Sequence, residues 1–199
     1  MSVVKIVTHT PDIDMLVARA ALICYSNKPI DNITVTRSHA RRLIHTLINN
    51  NHTSPLEHAS ITYSISNISR ACLAQLTRHR MASYTVRSHR HVRINNFINP
   101  FNNTTQQQHY TMFNNAVNNS MHTYNTLLQQ GVPCEVARAV LPISATTQLY
   151  MTANCRSLLN FFTQRLSAHA QDEIRTLAQK MHAEAMIVAP FIFKHCSLF

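Results

Sequence analysis

The chain contains a single glycine, Gly131, among its 199 residues. Loops that hold phosphate groups with backbone amides need several glycines close together, as in the G-x-G-x-x-G dinucleotide motif and the P-loop. The sequence therefore excludes both of these nucleotide-binding architectures. If the chain binds phosphate groups, it must do so with side chains.

Arginine is the side chain best suited to that task. Residues 78–93, which read RHRMASYTVRSHRHVR, hold five arginines and three histidines but no acid. Guanidinium groups this close repel one another, and they pair bidentately with phosphate or carboxylate. The net charge of +10 also favours anionic partners such as nucleotides, nucleic acid or acidic lipid. A solvated basic loop is the alternative interpretation of this stretch.

Size and composition predict one folded domain over residues 1–199. No apolar run approaches the roughly 20 residues that a membrane-spanning helix needs, and the N-terminus lacks the features of a signal peptide. The five cysteines are scattered and form no C-x-x-C pair. This pattern favours a reducing compartment over a disulfide framework or a zinc site. We therefore expect a cytoplasmic protein with no membrane contact and no metal ligands.

The apolar pattern predicts strands mixed with long helices. Ile61, Tyr63 and Ile65 alternate with polar residues, which indicates a half-buried strand over 60–65. We place an N-cap at Thr10 and the end of the longest helix at Gly131. The other expected strands are 3–8 and 146–153, and the expected helices are 11–25, 36–50, 69–78, 105–130, 133–141, 156–166 and 170–189. Because these elements show no regular β-α-β alternation, the fold class is α+β.

A second group of polar residues lies in the C-terminal half. Arg156 and Asn160 are one turn apart on a predicted helix, so they share a face. Each such residue, taken alone, is typical of a helix cap or an ordinary surface. Together with the basic stretch they could line an arginine-rich pocket. The members of this group are Gln75, Arg138, Asn154, Arg156, Asn160, Arg165 and His169.

These residues resemble a known family. Arg78, His79 and Arg80, followed by seven residues and then Ser88, resemble the signature of flavin-dependent thymidylate synthases. Other segments match the family in the same order along roughly residues 50 to 190. They are Glu57-His58 with Ser54 before it, Gln75, ARAVLP at 137–142, NCRSLLNF at 154–161, Arg165, and HAQDEIR at 169–175.

The resemblance implies a fold and a reaction. The fold is a mixed α/β core with an antiparallel sheet flanked by long helices, assembled as a homotetramer whose sites are shared between subunits. The reaction is the methylation of dUMP to dTMP, with FAD as cofactor and with NADPH and methylenetetrahydrofolate as co-substrates. In such enzymes the flavin does the redox chemistry and the protein supplies orientation and charge. Nucleic acid is not an expected partner.

The resemblance also implies roles for individual residues. Arg165 is the expected catalytic residue: it faces the pyrimidine N3, where a fixed cation favours the ionised form. Ser88 is expected to orient the nucleotide and not to act as a nucleophile. The expected cofactor-binding residues are Ser54, Arg78, His79, Arg80, Asn154, Arg156, Asn160 and His169. The expected substrate-binding residues are Gln75, Arg78, Ser88, Arg90, Arg138 and Arg165.

Two features depart from the family pattern. Thr85-Val86 stands where the family has Asn-Glu, and His91 stands where it has tyrosine. Each hydrogen bond lost in this way would cost about 0.5–1.5 kcal/mol. The departures leave open weaker dUMP binding, loss of turnover, or C5-methylation or hydroxymethylation of another pyrimidine nucleotide. A basic nucleic-acid-binding protein on the same fold is a further alternative.

Overall fold

The computed structural model describes residues 2–101 and 104–194. Cys196 and residues 102–103 of the polar loop expected after Arg93 lie outside the described residues. One antiparallel sheet has the strand order β1–β2–β4–β3. The strands are Val3–His9 (β1), Ser60–Ser69 (β2), Ser83–Val86 (β3) and Thr146–Asn154 (β4).

Helices make up most of the remaining regular structure. They are Ile13–Ile23 (α1), Arg37–Asn49 (α2), Arg70–Leu76 (α3), Gln107–Gln129 (α4), Cys134–Ala137 (α5), Cys155–Arg165 (α6), Asp172–Val188 (α7) and Pro190–Phe193 (α8). Short 3-10 helices occupy Ile30–Asn32, Ser54–His58 and Arg138–Val140. The α+β class and the antiparallel sheet are confirmed. No helix of the described part is long and apolar enough to cross a membrane.

The chain divides into two compact units. The α4 unit consists mainly of Ser66–Arg78 and Thr85–Leu149, and the α7 unit consists of Val3–Ile65, His79–Tyr84 and the chain from Tyr150 onward. The expectation of one domain over residues 1–199 stays a prediction.

In the α4 unit, the long helix α4 ends as the sequence predicts. Gly131 follows it with a φ of 81°, in the left-handed region that glycine adopts without strain. Tyr124 on the buried face of α4 contacts the next helix, because its hydroxyl lies 3.2 Å from the Cys134 Sγ. The side-chain amide of Asn99 donates to the Tyr110 carbonyl at 3.2 Å, which ties the preceding loop to α4.

In the α7 unit, α1 packs on α2 and α7 packs against β1 and α6. The predicted alternation on β2 is confirmed, because Ile61, Tyr63 and Ile65 are all buried. Phe162 of α6 is fully buried, and its ring meets Phe193 in a T-shaped contact at 5.6 Å. These contacts hold α6, which carries several of the expected site residues.

The start of α1 was predicted incorrectly. The helix begins at Ile13, after Asp12 in the left-handed region, and not after an N-cap at Thr10. Thr10 is already engaged elsewhere: its amide donates to the Ser60 carbonyl and its hydroxyl accepts from the Ser60 amide, both at 3.0 Å. The pairing with β2 therefore takes the atoms that a cap would need.

Two strand predictions also need correction. Strand β2 continues to Ser69, beyond the expected end at residue 65, and contains Asn67 with a φ of 57°. Strand β3 lies inside the basic stretch, where no strand was expected. The amide of Arg87, just after β3, donates to the Gln148 carbonyl of β4 at 2.9 Å. This pairing with β4 makes 83–86 a strand, and the local sequence does not show it.

Candidate functional site

The α4 unit brings two of the expected substrate-binding arginines to one acid. The Nε and Nη2 of Arg90 donate to the Glu135 Oε2 at 3.1 and 2.8 Å. The Nε of Arg138 donates to the main-chain carbonyl of the same glutamate at 3.2 Å. Glu135 on α5 therefore links Arg90 from the basic stretch to Arg138 from the following 3-10 helix.

A cavity of about 370 Å³ opens beside this group in the α4 unit. Its charged lining comes from Arg70, Glu135 and Arg138. The rest of its wall is His89, Ala139, Leu141, Pro142, Ile143 and Ala145. Two guanidinium groups, one carboxylate and an apolar wall suit a small anion that carries a flat or apolar group.

His89 shows how basic this region is. Burial lowers the pKa of His89 below its usual 6.5, and the positive charges of Arg70, Arg138 and Arg87 lower it further. Its Nε2 lies 3.1 Å from the Thr146 carbonyl, so this nitrogen carries the proton and donates. His89 is therefore a neutral side chain at pH 7 and adds no further cation to the cluster.

The other expected substrate residues of this unit are close in sequence to Arg70 and His89 but do not line the cavity. The Ser88 hydroxyl accepts from the main-chain amide of Arg90 at 3.2 Å, which shapes the turn that carries Arg90. Gln75 lies in the last turn of α3, and Arg78 follows that helix with an exposed side chain. Neither Gln75 nor Arg78 lines the cavity.

The α7 unit places the expected catalytic arginine on a histidine of the signature. The Nε of Arg165, at the end of α6, donates to the Nε2 of His79 at 2.9 Å. The His79 ring also packs edge-on against Phe161, with 4.9 Å between ring centroids. Burial lowers the pKa of His79 below 6.5, and the Arg165 charge acts in the same direction. His79 is therefore neutral at pH 7, with its Nε2 lone pair directed at Arg165.

Helix α6 presents further cofactor-binding candidates. Arg156 pairs with Glu57 of the 3-10 helix that begins at Ser54. The Asn154 Oδ1 accepts from the Ser157 amide at 2.8 Å and caps α6, so its side-chain oxygen has a structural partner. The side-chain carbonyl of Asn160 accepts from Gln164 at 3.1 Å.

Two of the expected cofactor-binding residues are less constrained. Arg80 lies exposed after the signature histidine, and His169 lies exposed in the turn that follows α6. The main-chain amide of His169 donates to the Ser167 hydroxyl at 3.3 Å.

Sequence reasoning missed Arg70, His89 and Glu135. Glu135 had a usable signal, because it is the only acidic residue between Glu57 and Asp172. An isolated acid in so basic a segment is a candidate partner for an arginine. Arg70 and His89 had none, because contacts with distant residues place them in the cavity wall. The Arg70 amide donates to the Ala145 carbonyl at 3.0 Å, and the His89 Nε2 donates to the Thr146 carbonyl at 3.1 Å.

Known proteins resemble this chain along almost its whole length. The family model described as "Thymidylate synthase complementing protein" matches residues 5–191. Flavin-dependent thymidylate synthases of Geobacter sulfurreducens and Saccharolobus solfataricus are each 38% identical; the alignments cover 96% of this chain and 85% and 75% of the two relatives.

A solved structure agrees with these sequence matches. A UMP/dUMP methylase, PolB from Streptomyces cacaoi bound with 5-Br dUMP, superposes with a TM-score of 0.89 at 25% identity. It covers all of this chain, which in turn covers 96% of that one. The signature arginines, the arginine cavity and these matches point the same way, and the chain belongs to the flavin-dependent thymidylate synthase family.

Proposed function

We propose that this protein methylates dUMP at C5 to give dTMP. The observation that carries this proposal is the arrangement of Arg90 and Arg138 around Glu135, beside a cavity that Arg70, Glu135 and Arg138 line. A nucleoside monophosphate offers the dianion and the flat ring that such a lining suits. Membership of a family whose relatives are named for thymidylate synthesis supports the same substrate.

The residues of the α7 unit suit a flavin, and we propose FAD. With no G-x-G-x-x-G loop available, the pyrophosphate of FAD requires cationic and hydroxyl side chains. Arg156, Arg80 and Ser54 supply these groups, and the neutral His79 supplies an aromatic surface. The remaining candidates are Asn154, Asn160 and His169 of the same unit and Arg78 of the α4 unit. When bound, FAD passes reducing equivalents from NADPH to the one-carbon unit.

Methylenetetrahydrofolate is the proposed carbon donor. The overall change consumes dUMP, methylenetetrahydrofolate, NADPH and a proton, and yields dTMP, tetrahydrofolate and NADP⁺. Arg165 favours the N3-ionised pyrimidine, which makes C5 more nucleophilic, because a fixed positive charge stabilises the anion. Gln75, Arg78, Ser88, Arg90 and Arg138 complete the substrate-binding set.

Tritium release from C5-labelled dUMP tests the proposal. The purified protein is expected to be yellow, and release should require dUMP, the folate and NADPH together. Arg165→Ala should abolish release while the flavin stays bound. A colourless protein, or tritium release that persists unchanged in Arg165→Ala, contradicts the proposal. We also propose a cytoplasmic homotetramer, which light scattering after gel filtration would detect.

UMP is the second candidate substrate. The structural relative is described as a UMP/dUMP methylase, and this chain has Thr85-Val86 where the family has Asn-Glu. Both residues lie on β3, a strand that β-branched side chains favour. Competition between labelled UMP and dUMP decides between the two. Val86→Glu should tighten dUMP binding if the family's nucleotide contacts are otherwise present.

A further inference from the structure

We propose that Glu135 is a positioning residue that orients Arg90 and Arg138 for the phosphate of the substrate. The inference rests on the proposed function and adds a residue to which no role has been assigned. Glu135 contacts both arginines with different atoms: its carboxylate accepts from Arg90 and its main-chain carbonyl accepts from Arg138. One residue therefore holds two guanidinium groups.

The geometry leaves phosphate-binding nitrogens available. Glu135 Oε2 takes the Nε and Nη2 of Arg90, so this contact does not use the Nη1 of that guanidinium. The contact with Arg138 takes only its Nε. Within the described part of the chain, the two terminal nitrogens of Arg138 have no other hydrogen-bond partner. Terminal guanidinium nitrogens are the donors that pair with phosphate oxygens.

The backbone of Glu135 belongs to a helix that packs against α4. It follows Pro133 and Cys134 at the start of α5, and the Cys134 Sγ lies 3.2 Å from the buried Tyr124 hydroxyl of α4. Arg90, in contrast, lies in a turn whose residues belong to no helix or strand. A long side chain in such a turn has many rotamers, and ordering it costs about 2 kcal/mol. Holding Arg90 in advance removes that cost from nucleotide binding.

A competing hypothesis predicts the opposite effect of removing Glu135 on phosphate affinity. If Glu135 simply neutralised Arg90 and had to be displaced, its removal would tighten the binding of a phosphate. The side-on contact argues against this, because the carboxylate contacts only the Nε and Nη2 of Arg90 and does not take its Nη1, and Arg138 contacts the main-chain carbonyl instead. The side chains of Arg90 and Glu135 are also about half exposed, at 56% and 50%, so substitution of either should not disturb the fold.

Calorimetric titration of the flavin-loaded protein with dUMP and with deoxyuridine tests the proposal. Glu135→Gln should raise the Kd for dUMP about tenfold, since a charge-assisted contact is lost, and should leave deoxyuridine binding unchanged. Glu135→Asp keeps the charge but shortens the reach, so it should also weaken dUMP. Glu184→Gln on α7 makes the same change in net charge and should leave the Kd for dUMP at the wild-type value.

The Arg90→Gln background shows whether Glu135 acts through Arg90. There, Glu135→Gln should have no further effect on dUMP binding, because the arginine that its carboxylate orients is gone and the main-chain contact with Arg138 is unchanged. An unchanged or lower Kd in the single Glu135→Gln variant overturns the inference while the proposed function stands. A full tenfold loss in the Arg90→Gln background also overturns it. Failure of the wild-type protein to bind dUMP overturns both.

Discussion

The contact between His79 and Arg165 joins a neutral base to a fixed cation. Arg165 has only donors, so the Nε2 of His79 at 2.9 Å must accept and cannot carry a proton. Burial and the Arg165 charge both keep the pKa of His79 below 6.5, which is consistent with that tautomer. The contact fixes the guanidinium by its Nε, and protonation of the imidazole would replace an acceptor with a repelling charge.

This contact predicts an acid limit to turnover that belongs to His79. Below the lowered pKa, the imidazolium repels Arg165, and tritium release from dUMP should fall with a midpoint under pH 6.5. His79→Gln keeps an acceptor but cannot titrate, so its turnover should not fall over the same range. The measurement is the pH profile of release at saturating dUMP, with flavin content recorded by absorbance. An identical acid limit in the glutamine variant would exclude His79 as its source.

The elements of the α7 unit are joined by polar groups as well as by apolar packing. Asn154 caps α6, the helix that carries Arg156, Asn160 and Arg165. The cap satisfies one of the amides that the first turn of a helix leaves without a partner. Asn154 was expected to bind the cofactor, which stays a prediction; the structure shows its side chain as the cap of α6.

Asn154→Ala should lower the free energy of unfolding by about 1 kcal/mol, because the cap is lost. Asn154→Asp should keep the cap and most of the stability. Urea denaturation of the apoprotein measures both. If the Asn154 amide also donates to FAD, the aspartate variant loses flavin despite its stability. Equal stability of the alanine and wild-type proteins would contradict the capping role.

Asp14 joins α1 to α8 within the same unit. Its buried carboxylate accepts from the Phe191 amide at 2.9 Å, and its Oδ1 has no hydrogen-bond partner in the described structure. Burial raises the pKa of Asp14 from 3.8 to about 6, against the attraction of Arg37 and Lys194. The same environment, with Asp14 close by, raises the pKa of Cys155 to about 12.

The raised pKa predicts how the stability of this junction depends on pH. The folded state holds the Asp14 proton more tightly than the unfolded chain, so stability increases as pH falls from about 6 towards 3.8. Asp14→Asn cannot titrate. The stabilisation of the Asp14→Asn variant relative to the wild type should be larger at pH 7.5 than at pH 4, by about 2 kcal/mol, because pH 4 lies just above the unfolded pKa. Denaturant unfolding at both pH values measures the free energy of unfolding of the variant and of the wild type. If the variant differs from the wild type by the same amount at pH 7.5 and pH 4, the burial argument is contradicted.

At the scale of the whole molecule, local pattern predicted the elements and missed the pairings between distant residues. Strand β2 and the end of α4 at Gly131 followed from alternation and from glycine chemistry. Strand β3 did not, because only pairing with β4 makes it a strand. The contact between Arg90 and Glu135 spans 45 residues, and no periodicity reports a contact at that separation.

The charge distribution was also predictable only in part: its total followed from the sequence, and the positions where the cations meet did not. The net charge of +10 was evident from the sequence, and it is compatible with both a nucleotide enzyme and a nucleic-acid-binding protein. What separates them is where the cations meet. Arg70 and Arg138 line one cavity of about 370 Å³ together with Glu135, and a site of this size suits one small anion better than the continuous backbone of a nucleic acid. A single monophosphate needs only the terminal nitrogens of the arginines.

Ligand-induced stabilisation follows from this distinction. A ligand that binds only the folded state stabilises it by about 2.7 kcal/mol at a concentration one hundred times its Kd. For a chain of this size that corresponds to a rise in Tm of about 5 to 10 °C. Saturating dUMP should produce this rise in Tm at constant ionic strength, and deoxyuridine should produce a much smaller rise because the arginines have no phosphate to hold.

Single-stranded oligonucleotides of matched phosphate content are the control. Should they raise the Tm while dUMP does not, the arginines serve a nucleic acid; a rise with dUMP that survives Arg138→Gln unchanged would place the phosphate away from this cavity.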